Sequence, residues 1–219
     1  MARRICHSEK MTPHFSDIQD IITDLSLGRM CILVDGKDRE NEGDLVACAS
    51  SITPLQVNFM AGQGRGLICL AMSKDEIERL KLVPMVPHNQ CPHGTAFTVS
   101  IDAKEGVTTG ISAYDRARTI HLASCPSSKI SDFSSPGHVF PLEAREGGLF
   151  EREGHTEASV ELSSLAGRGE SAVICEIMDE DGTMMRLPRL MEFAKLHDLK
   201  IGSIRDLKRY LMENRTSVA

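Results

Sequence analysis

The densest chemistry in this sequence is Asp38-Arg39-Glu40-Asn41-Glu42-Gly43-Asp44, a set of carboxylates and one guanidinium that follows an apolar run ending at Asp35. Acidic runs are commonly solvated loops. Carboxylates gathered at a strand end also suit a hard cation and a polyol, and magnesium often takes only one or two of them, leaving positions for water and substrate. A second segment, Arg152-Glu153-Gly154-His155-Thr156-Glu157, opens an expected helix. N–H groups at a helix N-terminus, with Arg152 and the Thr156 hydroxyl, make a phosphate cradle, and His155 would stand beside it as a metal ligand. The plainer alternative is an N-cap with an incidental histidine. The segment is not a nucleotide-binding loop, because no Gly-Lys-Ser/Thr follows a glycine-rich turn.

Two isolated residues add to these. Ser135-Pro136-Gly137-His138 presents a histidine at a strand start, although a lone loop histidine is more often a surface residue. Glu176 is the one acid in the apolar run from Ala172 to Met178, so it sits at an edge or is held for proton transfer. His88, Cys91 and His93 also cluster, but no second ligand pair at finger spacing follows, so a structural zinc is not expected. Thr109 and Ser112 read as turn and cap residues.

The elements that must position these groups are legible from their start signals. Ser16-Asp17-Ile18-Gln19 has capping-box form and opens a helix whose Ile18, Ile21, Ile22 and Leu25 share a face, with Gly28 as its stop. Thr53-Pro54-Leu55-Gln56 and Ser73-Lys74-Asp75-Glu76 repeat the signal, and Ser203 to Asp206 resembles it. Further helices are expected over 112–123, 156–166 and 188–197. The β-type runs are 30–35, 44–49, 66–72, 95–102, 138–142 and 172–178, with Ile201 near another. Strands and helices interleave irregularly, which favours an α+β fold over a doubly wound parallel sheet. One compact domain over 1–219 is expected, its mixed β-sheet covered by helices and residues 1–14 forming a flexible N-terminus.

Composition narrows the function. The 219 residues carry a net charge of −6 and only 4% aromatics, which argues against nucleic-acid binding by phosphate neutralisation or base stacking. No apolar stretch is long enough to span a membrane. The basic N-terminus lacks the apolar core of a signal peptide. The 7 cysteines form no C-x-x-C pair and several lie in apolar runs, so they read as buried reduced thiols of a cytoplasmic protein.

Taken together, the segments resemble the 3,4-dihydroxy-2-butanone 4-phosphate synthases of riboflavin biosynthesis. The matching blocks are Asp38–Asp44, Arg65–Cys69, Gly94–Asp102, Thr108–Ala113 with Asp115-Arg116, Pro136–Pro141, Gly154–Ala158 and Asp181–Met184. They come in the family's order and cover nearly the whole chain. The resemblance implies conversion of D-ribulose 5-phosphate to L-3,4-dihydroxybutan-2-one 4-phosphate and formate, with Mg2+ (or Mn2+). It also implies a homodimer whose active sites lie near the subunit boundary. Metal would be held by Glu40 and His155, and His138 and Glu176 would be catalytic. The sugar phosphate would be contacted by Arg39, Glu40, Asp44, Arg152, Glu153, Gly154, His155, Thr156 and Glu176. Ser135 stands where the family often has Arg, and Gly36-Lys37-Asp38 is less acidic than usual. Many relatives carry a fused GTP cyclohydrolase II domain; a chain ending at Ala219 is expected to be monofunctional. The rival readings are another metal-assisted sugar-phosphate enzyme, such as an aldolase or epimerase, and a non-catalytic phosphosugar-binding module.

Overall fold

The computed structural model describes residues 14–215, so Cys6 and nearly all of the expected N-terminal stretch lie outside it. Its strands are β1 (Cys31–Val34), β2 (Gly43–Cys48), β3 (Cys69–Met72), β4 (Ala96–Phe97), β5 (Ile101–Ala103), β6 (Phe133–Glu143), β7 (Ser171–Glu176) and β8 (Lys200–Ser203). Its helices are α1 (Ile18–Ser26), α2 (Pro54–Phe59), α3 (Lys74–Arg79), α4 (Ala113–Ala123), α5 (His155–Leu165), α6 (Leu187–Leu196) and α7 (Ile204–Arg215).

The sheet runs β4-β6-β3-β7-β2-β1-β8, with β5 added to β6. The β1–β8 and β3–β6 pairs are parallel and the others antiparallel. Strands β1, β2 and β3 are buried along their whole length. That explains their unbroken apolar runs, because each face of the sheet is covered by helices. One face packs Leu33, Val46, Cys69 and Ile174 against α1, α5 and α7. The other packs Ile32, Leu45, Leu70 and Val173 against α2, α3, α4 and α6. The expected mixed sheet between helical layers is what forms.

Local signals were obeyed where the side chain had nothing else to bond. Thr53 makes a full capping box with Gln56 at the start of α2. Ser73, Ser112 and Ser203 accept N–H bonds from Glu76, Asp115 and Asp206. The expected Ser16 box does not form. Asp17 is the N-cap of α1 without a side-chain bond, and Ser16 instead bonds Ile201 in the neighbouring β8. The run 95–102 also departs from one alternating strand. It breaks into β4 and β5 because the Thr98 N–H and hydroxyl both turn to the Pro141 carbonyl, so the two pieces meet different parts of the long β6. Of the cysteines, Cys31, Cys48, Cys69 and Cys175 are buried and free as expected, but Cys91 is exposed and Cys125 partly so.

Candidate active site

Asp35 organises the acidic loop between β1 and β2. One carboxylate oxygen accepts the Glu40 N–H at 2.9 Å and Arg39 Nη1 at 3.0 Å; the other accepts the Glu42 N–H at 2.8 Å. Arg186 secures the same loop from outside by donating to the carbonyls of Glu40 and Asn41. The loop then hands the chain to β2, where Asp44 lies directly opposite Glu176 of β7. Opposed residues on neighbouring strands project from the same face with β-carbons about 5 Å apart. The two carboxylates are therefore set side by side by sheet register.

The N-terminus of α5 closes this group from the helical layer. His155 is buried, with Nδ1 3.7 Å from both Glu40 Oε2 and Asp44 Oδ1. Its Nε2 and the Asp44 Oδ1 are buried without a hydrogen-bond partner. Glu40, Asp44, His155, Thr156, Arg39, Glu42, Arg152 and Glu176 line one cavity of ≈120 Å³, and its apolar wall includes Cys69 and Phe97. A larger groove of ≈550 Å³ lies behind the acidic loop, but its lining lacks His155, Asp44 and Glu176. Convergence of ionisable groups, not volume, marks the site.

Electrostatics divide labour among these groups. The His155 imidazolium 3.7 Å away, aided by the Arg39 charge, outweighs burial and holds the Glu40 carboxyl down at about 2. Burial, reinforced by the negative charges of Glu176, Glu40 and Glu42, outweighs attraction to His155 and pushes Asp44 up to about 7. Burial alone would lower His155, but Asp44 and Glu40 more than offset it and hold the imidazole at about 9. Burial and the neighbouring Glu40 also raise Glu42. The Cys69 thiol is raised by burial and by the nearby carboxylates, so it stays protonated and acts as wall rather than nucleophile.

Other expected residues take more varied positions. Arg152 reaches the cavity, yet much of its donor capacity is committed: Nη1 to Glu157 Oε2 at 2.6 Å, Nη2 to Thr95 Oγ1 at 3.1 Å and Nε to the His93 carbonyl at 3.1 Å. Gly154 is the N-cap of α5, and a β-carbon there would strike the Arg152–Glu157 pair. Glu153 is not in the cavity lining and pairs with Lys208 at 2.7 Å. Glu176 Oε2 accepts the Leu67 N–H at 2.8 Å, and Gly66 packs so closely that a β-carbon would sit 2.6 Å from that oxygen. His138 is also absent from the cavity lining. In register, Cys69 of β3 pairs with both Phe140 and Ile174, so His138 and Glu176 each lie two residues beyond it at the same end of the sheet. They flank the chain entering β3.

Sequence reasoning missed Asp35, Cys69, Thr95 and Phe97. Asp35 carried one available signal, a charge ending an apolar strand just before the acidic loop. The others line the site only through tertiary packing. Among the described residues, the group of side chains that could jointly hold a metal ion is Asp35, Glu40 and His155, with donor atoms within 4.8 Å of one another. His88, Cys91 and His93 do not form such a group.

The profile of the 3,4-dihydroxy-2-butanone 4-phosphate synthase family matches residues 19–210. The chain belongs to that family. It is 57% identical over 213 residues to the riboflavin biosynthesis protein RibBA of Aquifex aeolicus, covering 96% of this chain and 52% of that protein. It is 51% identical over 197 residues to the 3,4-dihydroxy-2-butanone 4-phosphate synthase of Neisseria meningitidis serogroup A, covering 90% and 54%. The chain thus spans about half the length of these relatives. A solved 3,4-dihydroxy-2-butanone 4-phosphate synthase in complex with two magnesium ions superposes with a TM-score of 0.88 at 40% identity, covering 92% of this chain and 99% of that one.

Proposed function

We propose that this chain converts D-ribulose 5-phosphate to L-3,4-dihydroxybutan-2-one 4-phosphate and formate, with a divalent cation, Mg2+ or Mn2+, as cofactor. The observation that carries the reading is the meeting of the Asp44–Glu176 cross-strand pair with Glu40 and His155 in one cavity, in a chain of this family. The residues fit a hard cation. Glu40 and Asp35 offer carboxylate oxygens, and the orphaned His155 Nε2 and Asp44 Oδ1 are costly buried groups that a cation or substrate would satisfy. When bound, the cation would polarise carbonyl and hydroxyl oxygens of the sugar and so acidify its neighbouring C–H bond.

The chain's own groups supply the rest. The reaction enolises the ketose, expels the C1 hydroxyl, rearranges the skeleton and releases C4 as formate, so protons must move repeatedly in one site. Asp44, held at about 7, is divided between acid and base at neutral pH and can both take and return a proton. Glu176 stands beside it as a second carrier, and His138 serves from the same end of the sheet. Arg39 and Arg152 provide positive charge at the rim, while Thr156 and the first turn of α5 present donors to the phosphate. Because the phosphate does not react, these groups hold substrate more than they accelerate the chemistry.

The protein acts as a homodimer with its sites near the subunit boundary. Exposed Ile111 and Tyr114, on the segment beside His138, supply apolar surface for a second copy to cover. Among the described residues no helix is long and apolar enough to cross a membrane. Formate measured from purified protein, ribulose 5-phosphate and magnesium tests the reading. One formate per sugar consumed supports it; an isomeric five-carbon product without formate replaces it with an epimerase, and no turnover with tight sugar binding replaces it with a sensor.

A further inference from the structure

We infer that Asp102 is the positioning residue of the reaction: it fixes the proton of His138 on Nδ1, so that Nε2 is the nitrogen that carries protons to and from substrate. The inference rests on the reading of His138 as a proton carrier.

Both oxygens of the Asp102 carboxylate are spent on this one histidine. Oδ1 accepts the His138 backbone N–H at 2.9 Å, and Oδ2 lies 2.7 Å from the ring Nδ1. A carboxylate only accepts, so the neutral ring must carry its hydrogen on Nδ1, leaving the Nε2 lone pair free. Backbone and ring are held together, which fixes both the position and the tautomer. Asp102 is buried, while the His138 side chain keeps 42% exposure, so one edge of the ring is clamped and the other open.

The surroundings are shaped to permit this clamp. Gly137 runs against the Ile101–Asp102 backbone so closely that any side chain would overlap it, which brings β6 within reach of the Asp102 carboxylate. On the other side, Gly110 (φ +90°) covers the pair. A β-carbon there would lie 2.6 Å from His138 Nδ1 and strike the Asp102 carboxylate. Gly110 is in turn tied by its N–H to buried Asp115 at 3.0 Å, and Asp115 also accepts the Thr108 hydroxyl at 2.8 Å at the start of α4. A surface histidine with an incidental acid would need neither the close approach nor the cover.

Asp102→Asn is the test. The amide oxygen can still accept the His138 backbone N–H, but its NH2 then faces Nδ1 and drives the ring hydrogen onto Nε2. We expect kcat for formate release to fall on the order of 10²–10⁴-fold with KM within a few-fold of wild type, as when a general base is held in the wrong tautomer. Nitrogen-15 spectra of the histidine rings should show His138 as the Nδ1–H tautomer in the wild type and Nε2–H in the variant. In a His138→Ala background Asp102→Asn should cost nothing more. If His138→Ala keeps wild-type turnover, the role of His138 fails and this inference with it. If His138→Ala is crippled while Asp102→Asn works within a few-fold, Asp102 alone is dismissed. Should the variant fold poorly by circular dichroism, the wild-type spectrum decides, and an Nε2–H ring there overturns the inference.

Discussion

His155 and Asp44 face each other in a buried space, and each holds a proton more tightly in the folded chain than free in water. Asp44 is raised from 3.8 to about 7 and His155 from 6.5 to about 9. For both groups the folded state binds more protons than the unfolded state within those windows, so stability falls as pH rises through each. The metal-free protein should therefore show a Tm that declines steadily from pH 6 to pH 9. Magnesium should restore it most at the alkaline end, because ligation by neutral imidazole must expel the His155 proton and affinity then rises with pH. Scanning calorimetry with chelator and with magnesium measures both, and a flat metal-free profile would contradict the charge assignment. Glu40 and His155 should also act as one unit. If each alone is needed to hold the ion productively, Glu40→Ala with His155→Ala should lose little more kcat/KM than the worse single variant. Additive losses in ln(kcat/KM) at limiting and saturating magnesium would separate their roles. The acidic loop and the 152–156 segment were readable because their groups are contiguous. The Asp44–Glu176 pairing was not, because it is created by strand register across more than a hundred residues of intervening chain.

At the scale of elements, the start of α5 holds the site together mechanically. Gly154 leaves just enough room for Arg152 to reach Glu157, and the same guanidinium grips the turn carrying His93 and Thr95. Gly154→Ala should break that grip, so KM for the sugar phosphate should rise more than kcat falls; steady-state kinetics check this, and an unchanged KM would free Arg152 from any part in binding. Sequence signals located the elements well wherever one side chain met its own backbone, as at Thr53, Ser112 and Ser203. They misled where a competitor from another element was within reach. Ser16 bonds β8 instead of capping α1, and Thr98 bonds Pro141 instead of continuing a strand. Competition of that kind is invisible until the sheet order is known.

For the molecule as a whole, the apolar surface at Ile111 and Tyr114 beside the His138 segment predicts that association and activity go together. Diluting the protein until light scattering reports monomer should lower the specific activity of the proposed reaction in proportion; a fully active monomer would place the whole site in one copy. The strand order carries a separate consequence for how the chain matures. Strand β7 lies between β2 and β3, yet it is made roughly a hundred residues after them. Until it arrives, a nascent or refolding chain holds open two buried-type strand edges of the sort that invite intermolecular pairing. β7 also brings Glu176 to Asp44, so closing that gap and completing the carboxylate pair of the candidate site are one event. Refolding followed by amide protection of Val173 and Ile174 should therefore keep pace with the return of formate production, and chains released before Ser171 should aggregate rather than retain partial activity.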